Sequence, residues 1–177
     1  MKKISVEALV SEYEQGRREF RGLDLREVDL FGCDFQDVDL SGSDLSHAYL
    51  AYANFGRANL ERVNLRNAEM TSIRLQSANL SGANLQEVTM LCSQCCAANF
   101  EKAVLVGADL QMADLKASSF HEADLSNANL KHANLRGADF SGTNLDACNL
   151  SRSKDAELSD ATLTSKTILP SGYRYGT

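Results

Sequence analysis

The chain of 177 residues has no tryptophan and a single proline, Pro170. No apolar run approaches the ~18 residues that a membrane-spanning helix needs. Lysine and arginine, 18 in all, are outnumbered by 24 acidic residues. The net charge of −6 and the pI near 5.1 exclude a dedicated nucleic-acid binder. Five cysteines, Cys33, Cys92, Cys95, Cys96 and Cys148, are an odd number and form no disulfide framework. The opening Met1-Lys2-Lys3-Ile4-Ser5-Val6-Glu7 has two lysines, but Glu7 and Glu12 interrupt the apolar stretch of a signal peptide. These absences predict one soluble domain, cytoplasmic, with reduced thiols and no membrane contact.

What the chain does have is a phrase of five residues. Ala123-Asp124-Leu125-Ser126-Asn127 is followed by Ala128-Asn129-Leu130-Lys131-His132 and Ala133-Asn134-Leu135-Arg136-Gly137. Every fifth residue from Phe20 to Leu150 is Leu, Phe or Met, with Cys95 the one exception. Two residues before each centre stands a small or β-branched residue, mostly Ala. The residue just before the centre is mostly Asp or Asn. A period of five is neither 3.6 nor 2, so neither an amphipathic helix nor a plain strand explains it. A solenoid does, if each unit turns one corner, with the centre and the small residue inward and the other three outward. Asp, Asn, Ser and Gly outside suit repeated tight turns.

This pattern resembles the pentapeptide-repeat family, whose motif is A(D/N)LXX, over residues 18–168. The resemblance implies an all-β solenoid, a right-handed quadrilateral β-helix with four units per coil. Units twenty residues apart then stack. Leu25, Leu45, Leu65, Leu85, Leu105, Leu125 and Leu145 form one such column, and the centre Phe residues fall in two adjacent columns. About seven coils at the usual ~4.8 Å inter-strand spacing give a rod ~34 Å tall.

Three segments follow. Residues 1–17 are expected to cap the N-terminal end, with a short helix over residues 5–15. Val6, Leu9, Val10 and Tyr13 share one face there, and Gly16 stops the helix. The alternative is a partner-binding helix. Residues 18–168 are the solenoid, with a register shift near 151–155. There Ser151-Arg152-Ser153-Lys154-Asp155 is too polar for a core step, and the phrase resumes out of phase at Leu158, Leu163 and faintly Ile168. Residues 169–177 are a capping tail, similar to tails of cyanobacterial members, with Pro170 and Gly172 ending the solenoid.

No active site is expected. His47, His121 and His132 occupy outward slots on different faces, no glycine-rich phosphate loop is present, and the narrow interior offers no pocket. No cofactor and no small-molecule substrate are implied. Cys92 and Cys95 have the spacing of a C-x-x-C pair, but Cys95 is a centre that points inward and no second pair completes a zinc site. Residues 67–106 are the least regular, with Met70, Ile73, Arg74, Met90, Cys95 and Val104 in place of preferred residues.

Function is therefore a matter of surface. The face on centres 30, 50, 70, 90 and 110 carries Phe31, Tyr49, Tyr52, Leu91, Cys92 and Met112, and only Asp29, Glu69 and Asp109 as charges there. Phe31, Tyr49, Tyr52, Leu91 and Met112 are the candidate partner-binding face. The competing reading is scattered exposed apolar residues, or a patch covered by the N-terminal helix or the tail. Asp24, Asp29, Asp34, Asp39 and Asp44 precede five successive centres and are the candidate acidic surface. With Glu27 and Asp37 against Arg26, they carry as much net charge as the whole protein. The expected function is a non-catalytic scaffold or regulator that binds another protein, as a monomer or weak homodimer, without direct nucleic-acid contact. The alternative, implied by the family resemblance, is a DNA mimic that inhibits DNA gyrase and confers quinolone resistance.

Overall fold

The computed structural model describes residues 1–176. The five-residue unit works as a corner because two local devices close it. The residue two after each centre adopts a left-handed conformation, with φ between 53° and 62° at the non-glycine sites from Glu27 to Arg152. A reversal of this kind needs φ > 0 at its third position, as a type II turn does. At most corners the residue before the centre supplies the second device. Its side-chain oxygen accepts a hydrogen bond from the backbone N–H two residues on, as Ser81 N–H donates to Asn79 Oδ1 at 3.1 Å and Ser126 N–H to Asp124 Oδ1 at 2.9 Å. That Asx bond holds the chain in the turn.

Four such corners bring the chain back over itself. Residues twenty apart pair as parallel bridges from Glu19↔Asp39 to Asn134↔Lys154. Each rung is a reciprocal pair of backbone bonds: Leu45 N–H donates to Asn64 O at 2.7 Å, and Asn64 N–H donates to Ser43 O at 2.9 Å. Where Asn stands over Asn or Asp, the side chains add a rung of their own. Asn99 Nδ2 donates to Asn79 Oδ1 and Asn79 Nδ2 to Asn59 Oδ1, both at 3.4 Å.

The interior is the two expected columns per side. Centres and small residues are buried throughout, Leu25 to Leu145 among them. Phe100, Phe120 and Phe140 stack with ring centroids 5.0 and 5.2 Å apart, and Phe35 lies on Phe55 at 5.7 Å. Several hydroxyls in the small slot bond inward to the backbone, as Thr143 Oγ1 donates to Phe120 O at 2.7 Å. The residue before the centre is not a solvated outward group. Asp and Asn there are mostly half-buried, because the Asx bond draws the side chain against the wall.

The ends depart from the pattern. Helix α1, Val6–Glu14, begins at Ser5, whose Oγ accepts from Ala8 N–H at 3.2 Å. Leu9 is fully buried against the first coil, and Tyr13 packs edge-on against Phe35 and donates to Gln36 O at 2.9 Å. Two residues that carry no periodic signal, Lys2–Lys3 (β1), pair in parallel with Leu23–Asp24 (β2) and cover one edge of the first coil. At the other end Asp155 is exposed, and its unit is shortened. Gly142 N–H donates to Asp160 O and Leu145 N–H to Thr162 O, so Leu163 stands above Leu145. Leu150 N–H donates to Ile168 O, which puts Leu169, and not Ile168, above Leu150. The ladder runs on to Pro170, whose carbonyl accepts from Arg152 N–H. The tail then turns back at Gly172, with Tyr175 N–H donating to Thr167 O at 3.0 Å. Thr177, the last residue of the expected tail, lies outside the described residues.

If the Asx bond and the side-chain rung both stabilise the coil, Asn79→Ala loses both and lowers unfolding stability by about 1–3 kcal/mol. Asn79→Asp keeps the acceptor for Ser81 N–H and loses only the donor to Asn59, so its loss is smaller. Urea unfolding of the two variants against the parent chain measures the order; equal losses would contradict the two-part role.

Candidate functional site

The interior is filled by the leucine, phenylalanine and small-residue columns. Cys95 is fully buried and its Sγ donates to Ser93 Oγ at 3.4 Å. Cys92 is exposed, on the outside of the same turn, so the two thiols point to opposite sides of the wall. Burial pushes the Cys95 thiol up to about 12, and does the same to Cys148. Among the described residues, no group of three or more His, Cys, Asp or Glu side chains could hold a metal ion. The depressions are shallow and lie outside the coil. One, of about 350 Å³, sits where α1 meets the wall at Val10, Tyr13, Cys33 and Phe35. Another, of about 270 Å³, lies beside the shortened unit between Phe140 and Asp160. His121 bonds to Ser141 Oγ at 2.9 Å, while His47 and His132 are exposed.

The candidate aromatic face is only partly brought together. Phe31 lies flat on Tyr49, with centroids 5.6 Å apart and an interplanar angle of 10°, and meets Tyr52 edge-on at 5.5 Å. The trio draws on three kinds of position: Phe31 follows a centre, Tyr49 precedes one, and Tyr52 takes the left-handed position of the next turn, at φ 61°. All three remain about half exposed, at 54%, 43% and 54%. Neither α1, which sits on Phe35, nor the tail at the far end covers them. Leu91 and Met112 stand apart from the three rings. Leu91 is three coils from Phe31 in the same column, about 14 Å away by inter-strand spacing, with Ala51 and Thr71 between. Leu91 is half-buried and Met112 is exposed.

The acidic run does not form one open negative surface. Asp24 is held by both nitrogens of Arg26 at 2.8 Å, with Lys3 nearby at 3.9 Å, and the guanidinium keeps its carboxyl down at about 2. Arg21 pairs with Asp39 at 2.8 Å, and Arg57 with Asp37 at 2.6 Å. Asp34 and Asp44 each accept from an Asn one coil on, Asn54 and Asn64. All five also accept a turn N–H. Asp29 is the member of the row with neither a cation nor an Asn partner among the described residues. No helix among them is long and apolar enough to cross a membrane.

A four-sided coil of parallel rungs, with Asx-closed corners and leucine columns, defines a right-handed quadrilateral β-helix. The pentapeptide-repeat sequence family matches the chain in eight copies, over residues 19–46, 43–82, 53–90, 78–121 and 113–152. The chain belongs to the pentapeptide-repeat family, whose members are typically interaction scaffolds rather than enzymes. No curated protein matches it. Among solved structures it is similar to Rfr23, a pentapeptide repeat protein of the cyanobacterium Cyanothece 51142. Identity is 25% over 78% of this chain and 98% of that one, with a TM-score of 0.51. It is also similar to HetL, a pentapeptide repeat protein involved in heterocyst differentiation regulation in Nostoc sp. strain PCC 7120. There the values are 25% identity, 97% of this chain, 100% of that one and a TM-score of 0.44. QnrB1, a plasmid-mediated fluoroquinolone resistance protein, shares 17% identity over 95% of this chain and 87% of its own, with a TM-score of 0.51, a likeness of fold.

The buried thiols give a signed pH dependence. Cys95 and Cys148 stay neutral in the fold to about pH 12, whereas in the unfolded chain a thiol ionises near 8.5. Their folded pKa is raised, so the stability they lend is complete below about pH 8.5 and is lost as the pH climbs toward 12. Unfolding stability should fall over that range, and fall less steeply in Cys95→Ala. In the folded chain at pH 8 an aromatic disulfide reagent should modify Cys92 and reach Cys95 and Cys148 only after unfolding.

Proposed function

We propose that this pentapeptide-repeat protein is a non-catalytic scaffold that holds another protein on the face bearing Phe31, Tyr49 and Tyr52. The observation that carries this reading is the three-ring cluster. Its rings are packed on one another, so their shape is set before any partner arrives, yet each leaves about half of its surface in water. Aromatic side chains with few rotatable bonds are the residues that anchor protein interfaces. A rod laddered by backbone bonds on every coil presents them rigidly, and so with little ordering cost on association.

The alternative, a DNA mimic acting on gyrase, draws on the acidic start of the chain. The carboxylates themselves give it little support. Arginines neutralise Asp24, Asp37 and Asp39, and asparagines occupy Asp34 and Asp44. A mimic of the phosphate backbone needs its negative charge free.

The double variant Phe31→Ser, Tyr52→Ser should stay folded, because both side chains lie outside the core, and should lose the partner that the parent chain retains in a pull-down from its native host. Retention of the same partner by the folded variant would refute the reading. In a gyrase supercoiling assay micromolar protein should have no effect; inhibition would establish the alternative in its place.

A further inference from the structure

The aromatic cluster sits in a setting that the rest of the surface lacks. In the column that runs through it, Asp29, Tyr49 and Glu69 are successive bridge partners, so a carboxylate lies one coil below the tyrosine and another one coil above. Each of these carboxylates spends one oxygen on its own turn. Phe31 N–H donates to Asp29 Oδ1 and Thr71 N–H to Glu69 Oε1, both at 3.0 Å. Neither has an ion-pair partner among the described residues. Several carboxylates on other faces do have one: Arg26 and Lys3 reach Asp24, Arg57 reaches Asp37, Arg21 Asp39, Arg62 Glu61, and Lys102 Glu101 and Glu122.

The aromatic rings show the same contrast. At the N-terminal end the guanidinium of Arg18 lies 3.9 Å over the Tyr13 ring, and that of Arg17 lies 4.6 Å over Phe20. Phe31, Tyr49 and Tyr52 have no such cover. Along this face the positions before and just after the centres, from Asp29 to Met112, contain no lysine or arginine at all. Half-exposed rings between unpaired carboxylates, with every cation withheld, are complementary to a cation. A guanidinium satisfies both parts at once, since it stacks on aromatic faces and forks to a carboxylate.

We infer that the occupant of this face is a cationic segment of a partner protein, with arginine side chains that lie over the Phe31–Tyr49–Tyr52 rings and pair with Asp29 and Glu69. The inference rests on the scaffold reading above and adds the chemistry of the partner. Charge complementarity of this kind speeds encounter and selects among partners, and salt screens it.

The test uses the full chain and short labelled peptides of alternating arginine and alanine, with a second peptide in which glutamine replaces every arginine. The variant is Asp29→Asn with Glu69→Gln, which removes both charges and keeps both turn acceptors. Glu61→Gln on another face is the control. The arginine peptide should bind the parent chain and the control, weaken about tenfold or more in the double variant, and weaken as salt rises; a tenfold change corresponds to about 1.4 kcal/mol. The glutamine peptide should bind less tightly than the arginine peptide. The inference is overturned if the arginine peptide fails to bind, binds no better than the glutamine peptide, or is indifferent to the double variant. Equal binding of both peptides that disappears in Phe31→Ser, Tyr52→Ser would overturn the cationic partner and leave the scaffold reading standing. Sedimentation supplies the remaining outcome: a parent dimer that the same serine variant dissolves would make a second copy of this chain the occupant and would also overturn the inference.

Discussion

The structure depends on one bond repeated at most corners, the backbone N–H that donates to an Asp or Asn oxygen two residues before it. That bond, together with the left-handed residue that follows, turns the chain through a fixed corner every five residues. Four corners make a coil, and only then can a backbone N–H find the carbonyl of the next coil. The leucine and phenylalanine columns are a consequence, because a closed coil places identical positions at identical heights. The stability of such a rod is close to a sum of neighbour terms.

The same constraint divides the sequence between two tasks. The centre and the small residue are committed to the interior, and the residue before the centre is largely committed to the turn. What stays free is the pair of positions after each centre. This is why Asp34 and Asp44, which look like free surface charge in the sequence, are part of the wall, and why the acidic start lacks an open field. It is also why Phe31 and Tyr52, which occupy the free positions, can carry specificity without cost to the coil. Tyr52 is at the left-handed position, where backbone conformation offers no reason for a tyrosine.

The coil was legible because its signal is a strict period. Five-residue spacing, the leucine column from Leu25 to Leu145 and the inward place of Cys95 all follow from counting. Helix α1 was legible from Val6, Leu9, Val10 and Tyr13, one apolar stripe. Other features carry no period. Lys2–Lys3 is too short to show a strand pattern and owes its pairing to the free edge of the first coil. The shortened step from Asp155 to Leu158 was visible as a break, but the long step to Leu169 was not, since Ile168 is the more obvious apolar centre by spacing. The aromatic trio needs side-chain directions from three different kinds of position. Its separation from Leu91 and Met112 needs coil heights, which a list of residues on one face does not convey.

Function, in this account, lies where the protein declines to satisfy itself. Asp29 and Glu69 lack the cations that Asp24, Asp37 and Asp39 have, and the three rings lack the guanidinium that Tyr13 and Phe20 have. An amide-resolved NMR titration of the full chain with the arginine–alanine peptide tests this most directly. The account predicts shifts confined to residues 29–32, 49–52 and 69–72, three stacked segments that are far apart in sequence. Shifts centred on the neutralised corner at Asp24, Arg26 and Asp39, or spread evenly over the rod, would contradict it.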